Sequence, residues 1–218
     1  MTSTRPVTIA GAVTATVAAA VGAWILAAQQ MSGMDMGPQT ELGSFGFFIG
    51  VWVLMMAAMM LPGAAPAVSS FVQAGGRALA TPFFAGSYLA VWTLVGLVAY
   101  ALYRPHSSTT AGALTIAAGI YELTPLKQDC RRFCRNTTRS GFRFGIYCLG
   151  SSIGLMVILL SLGVMSLTWM TLVAVLIVSQ KLLPPRAFVD GPIALAIVGL
   201  GIWLLVAPSS VPGLVTTM

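Results

Sequence analysis

The sequence predicts an all-α fold: a polytopic transmembrane helical bundle of about seven spans with a cytoplasmic N-terminus. Three observations carry that expectation. Of 218 residues, 57% are hydrophobic and only 7% charged, against roughly a quarter charged in an ordinary soluble domain. The apolar residues gather into long runs that lack strand-like alternation and exceed the roughly ten residues of a membrane-barrel strand. The basic residues lie between those runs and almost entirely on one side of them.

The candidate spans are 7–28, 44–61, 82–103, 109–125, 145–162, 165–180 and 191–207. A crossing takes about 20 apolar residues, so residues 1–218 read as a single integral membrane domain. Arg5 and the small residues of the first run resemble a secretory signal, but the apolar stretch exceeds the roughly 7–15 residues of a signal core, so a retained helix is expected. The fourth run is rich in Ala, Gly and Thr and carries Glu122 near its end. Its insertion is expected to depend on neighbouring helices. Met60-Leu61-Pro62 and Lys181-Leu182-Leu183-Pro184 both read as helix stops.

Orientation follows from charge. With the N-terminus inside, Arg5, Arg77, Lys127, Arg131, Arg132, Arg135, Arg139, Arg143, Lys181 and Arg186 face the cytoplasm and only Arg104 lies outside. The net charge of +6 therefore sets topology. The lipid bilayer is the expected partner, and nucleic acid is not. Three cysteines make no complete disulfide framework, and the two in the inner segment are expected to be reduced. The chain contains no nucleophile elbow, phosphate-binding glycine loop, zinc-protease helix or paired-carboxylate site, so it is not expected to be an enzyme.

Four groups of residues suit metal chemistry. The outer loop holds Met31, Met34 and Met36 among glycines, and thioether sulfur is a soft ligand suited to Cu(I). The second run carries Trp52 with Met55, Met56, Met59 and Met60, and at about 100° per residue the four Met fall within an arc of about 140° on one helix face. A stripe of this kind also serves as adaptable packing. Glu122 is the one acid inside a predicted span, about 7 Å from the inner end of its helix. It can meet the Met face or pair with Lys127 or Arg131. In Lys127-Gln128-Asp129-Cys130-Arg131-Arg132-Phe133-Cys134-Arg135, a helix would put Cys130 and Cys134 one turn apart, where two thiolates can share a metal. The nearby arginines are expected to favour thiolate. Cys148 reads as a packing residue.

Two blocks give the chain its resemblance: Trp52 with Met55-Met56-Ala57-Ala58-Met59-Met60-Leu61-Pro62, and Tyr121-Glu122-Leu123-Thr124-Pro125-Leu126-Lys127 leading to Cys130 and Cys134. They resemble a family of bacterial integral membrane proteins regarded as metal-binding, some of them labelled copper chaperones. The resemblance implies metal handling, with copper foremost, in a bacterial inner membrane. Where that family often ends the sixth span in Glu-Lys, this chain has Gln180-Lys181. The expected function is Cu(I) handling or relay through Met, Glu and Cys ligands. The alternative is an accessory or assembly subunit of a larger membrane complex, such as a copper-dependent membrane enzyme.

Overall fold

The computed structural model describes residues 4–31, 43–74, 78–104, 106–136, 140–163, 166–183 and 187–207. They form eight α-helices and one short 3-10 turn, with no strand among the described residues. The helices are α1 (Thr4–Met31), α2 (Phe45–Gln73), α3 (Thr81–Leu102), α4 (Ser108–Glu122), α5 (Pro125–Asn136), α6 (Gly141–Leu162), α7 (Leu167–Leu182) and α8 (Ala187–Val206). Each predicted span overlies one helix, and α5 is an additional amphipathic helix where a basic loop was expected.

Four helices, α1, α2, α3 and α6, are long and apolar enough to cross a membrane. Helices α4 and α7 have 15 and 16 residues, fewer than the roughly 20 of an ordinary span. Helix α2 packs on α1, α3 and α7, while α6 packs on α3, α4, α5 and α7, and α8 lies along α4. Between them sits a core of Trp52, Met55, Met56, Met59, Tyr88, Trp92, Leu155 and Leu159, all buried. The outward faces carry exposed Ile25, Leu94, Val98, Val175, Leu195 and Ile202, an apolar surface suited to lipid.

Helix α2 does not stop at Leu61-Pro62; it runs through Pro62 and Pro66 to Gln73. One proline removes one intrahelical bond, whereas ending a helix in an apolar environment exposes several backbone groups, so the helix continues. Helix α8 begins at Ala187, several residues earlier than the apolar run suggests, and this brings Asp190 into its first turn. A carboxylate there faces the positive end of the helix dipole.

The turn from α4 to α5 is built by local sequence. Thr124 precedes Pro125 at the helix start, its hydroxyl accepts from the Lys127 backbone N–H at 3.4 Å, and it donates to the Tyr121 carbonyl at 2.7 Å. Proline at the first helical position and threonine before it favour a new helix at this point. Helix α5 thereby folds back onto α6, where Phe133 stacks on Tyr147 with centroids 5.3 Å apart.

Candidate metal centre

Two polar clusters lie side by side where α5 meets the end of α7. The first contains Glu122, Lys127, Gln180, Arg131 and Asp190, all buried. Glu122 ends α4, where the helix dipole disfavours a carboxylate, and the Lys127 ammonium offsets this by donating to its Oε2. Gln180 joins both partners: its Nε2 donates to Glu122 Oε2 at 2.7 Å, and its Oε1 accepts from Lys127 Nζ at 2.9 Å. Glu122 Oε1 has no hydrogen-bond partner among the described residues. Burial lowers the Lys127 pKa, and the Glu122 carboxylate opposes that shift. Arg131 donates to Asp190 and to the carbonyls of Gln180 and Leu183, the latter at 3.3 Å, so it also caps α7. Each buried acid thus has its own cation.

The second cluster is built on sulfur. Lys181 Nζ lies 2.9 Å from Cys148 Sγ, 3.3 Å from the Tyr88 hydroxyl and 4.0 Å from Met60 Sδ. Tyr88 OH and Cys148 Sγ are 3.1 Å apart, and Cys134 approaches Cys148 across the α5–α6 contact closely enough for the two thiols to titrate together. The ammonium also lies 5.7 Å from the Tyr88 ring centroid and 5.8 Å from that of Phe144. Lys181 reaches this position past Gly63, where a Cβ would collide with its Cδ. No carboxylate among the described residues forms an ion pair with it. Three sulfurs from α2, α5 and α6 therefore gather around a lone ammonium.

A family model described as PpoB2, copper chaperone, matches residues 49–204. The chain belongs to that family. No curated protein and no solved structure matches it. The copper chaperone match runs from α2 into α8, so it contains every residue of both clusters and excludes Met31, Met34 and Met36. Together with the apolar helices, membership makes this a membrane protein of a copper-related family.

The predicted ligands are distributed as follows. Met31 is buried at the end of α1, while Met34 and Met36 lie outside the described residues. Met55, Met56, Met59 and Met60 are all buried on α2, and Met60 reaches the sulfur cluster. Cys130 and Cys134 are one turn apart on α5. Cys134 turns to Cys148, while Cys130 lies against Gly150, where a side chain would strike its sulfur. The expected thiolate character also differs. The neighbouring Cys148 and burial push the Cys134 thiol well above the ordinary range, and burial followed by the neighbouring Asp129 raises Cys130. The arginines do not reverse this, because Arg131 is neutralised by Asp190 and Arg132 and Arg135 are exposed.

Among the described residues, no group of three His, Cys, Asp or Glu side chains could hold a metal. The sulfur cluster has two thiols and completes itself only with a thioether. Sequence reasoning missed Cys148, Lys181, Tyr88 and Asp190. A visible signal for Lys181 was a cation closing an apolar run that contains no acid.

Proposed function

We propose that this chain holds Cu(I) at the inner face of a bacterial cytoplasmic membrane, on the thiolates of Cys134 and Cys148 with Met60 as a third sulfur, and hands it to a partner. The observation that carries this reading is the convergence of Cys134, Cys148 and Met60 around Lys181. Thiolate and thioether select Cu(I) over hard cations. Two thiolates around Cu(I) carry one net negative charge, and the Lys181 ammonium supplies the opposite charge where no carboxylate competes. The protein acts as a carrier and not as an enzyme.

In this reading all seven apolar helices cross the membrane, the N-terminus is cytoplasmic, and the basic residues of α5 lie on the inner side. Met31, Met34 and Met36 capture copper outside, and the Met55, Met56 and Met59 face leads toward Met60. Glu122, whose Oε2 is bound by Lys127 and Gln180, holds α4, α5 and α7 together. The test is copper content by mass spectrometry after anaerobic Cu(I) loading of the detergent-purified chain, combined with X-ray absorption at the copper edge. One copper per chain with an all-sulfur shell is expected. A shell of oxygen or nitrogen, or copper no higher than in the Cys134→Ser/Cys148→Ser protein, contradicts the reading.

A further inference from the structure

The sulfur cluster adjoins a cavity of about 270 Å³ between α2, α5, α6 and α7. Cys134 and Lys181 form part of its wall, Arg131 and Arg135 another part, and Ser151 and Ser152 a third. Arg135 is exposed, so the cavity reaches the surface beside it. Cys134 is 7% exposed and lines the cavity, whereas Cys148 is fully buried and does not line it. A ligand entering here meets Cys134 before Cys148.

The wall selects by charge and size. Arg131 is neutralised by Asp190, but neither Arg135 nor Lys181 forms an ion pair with a carboxylate among the described residues. Arg135 in the wall and the Lys181 ammonium beside it give the cavity a positive potential that no acidic partner among the described residues cancels, which favours an anion. Cavities that bury a drug-sized ligand begin at roughly 300 Å³, so this one suits a smaller molecule.

We infer that the cavity receives a Cu(I) complex of a small, carboxylate-bearing thiol, with Arg135 holding a carboxylate and Cys134 taking the copper first. This rests on the assignment of Cys134 and Cys148 as a Cu(I) pair, and it adds the form in which copper enters or leaves. In the exchange, the Cu–S bond to Cys134 forms as the Cu–S bond to the carrier breaks. The Cys134 proton passes to the departing carrier thiolate. Copper stays at +1 and no electron moves.

The experiment loads the full-length apo-protein anaerobically from two sources: Cu(I)–glutathione, which carries carboxylates, and Cu(I)–acetonitrile, which has no anionic group. The readout is the ratio of initial loading rates, followed by thiolate-to-copper absorption. Arg135→Gln is expected to lower the glutathione-to-acetonitrile ratio by about two- to fivefold, and Arg135→Glu by about tenfold, in keeping with single exposed charge contacts. Arg135 is exposed on α5, so both variants should fold. A ratio unchanged in both overturns the inference. The two readings separate cleanly, because Cys-dependent loading with an Arg135-independent ratio removes only the anionic port. Loading from acetonitrile that persists in Cys134→Ser and in Cys148→Ser removes the copper site itself.

Discussion

Gln180 and Lys181 are consecutive residues of α7, yet they enter different chemistry. Gln180 enters a network in which Glu122 meets Lys127 and Arg131 meets Asp190. Each charge there is balanced by a hard partner, and Gln180 bridges Glu122 Oε2 and Lys127, leaving only Glu122 Oε1 without a hydrogen bond among the described residues. Lys181 enters a cluster whose other members are two thiols, a thioether and a phenol. A balanced network gains nothing from a soft cation. A lone ammonium beside sulfur gains from one, because Cu(I) recruits a second thiolate and leaves the site anionic. The first region is accordingly assigned to holding helices together and the second to holding metal.

The largest effect that can break this division comes from Glu122→Ala, which leaves Lys127 buried without its carboxylate. Unpairing a buried ion pair costs about 3–5 kcal/mol, so denaturant unfolding in detergent should shift strongly while the copper affinity of the folded fraction stays the same. Stability unchanged together with copper lost would move Glu122 into the metal site. Next in size, Lys181→Met removes the counter-charge and should weaken Cu(I) binding about 10- to 100-fold, the usual range for residues that support a metal's ligands. Competition with a Cu(I) chelator measures it, and affinity equal to wild type would separate the ammonium from the site.

A smaller effect sharpens the role of Cys134. Its thiol is pushed above the ordinary range, so it stays protonated through neutral pH and copper must displace that proton. Fewer protons compete as pH rises, so affinity should increase at least about tenfold per pH unit between roughly 6 and 8, a factor of about ten for each thiol proton displaced. A flat profile would mean that copper binds without deprotonating Cys134. The smallest effect is expected from Gln180→Glu, which places a second carboxylate against Lys127 and Glu122. Thermal unfolding should shift by the equivalent of about 1–3 kcal/mol, the cost of a lost buried hydrogen bond, with copper affinity unaltered.

The helices were legible because length and uninterrupted apolarity dictate them. The Leu61-Pro62 stop misled because Pro62 is a local signal, whereas the continuation of α2 is decided by the cost of an open helix end among packed neighbours; the stop before Pro184 was legible, since α7 ends at Leu182. Half of the sulfur site was equally legible. Met60 belonged to a visible stripe, and Cys134 to a visible pair. The proximity of Cys148 was hidden because it looks like any small residue in an apolar run, and only the return of α5 onto α6 brings it within reach of Cys134. The cue for that return was present in Thr124-Pro125, a helix start placed directly after Glu122. Asp190 was missed for a related reason: hydropathy places the start of α8 after the acid, whereas the helix begins before it and uses the acid to bind Arg131.

The most direct measurement compares Cys130→Ser, Cys134→Ser and Cys148→Ser by anaerobic Cu(I) titration against a competing chelator. Spacing alone pairs Cys130 with Cys134; the structure pairs Cys134 with Cys148. Tight binding retained in Cys130→Ser and lost in both other variants is the predicted result. Binding lost in Cys130→Ser and kept in Cys148→Ser would contradict the account and return the metal to the thiol pair on α5.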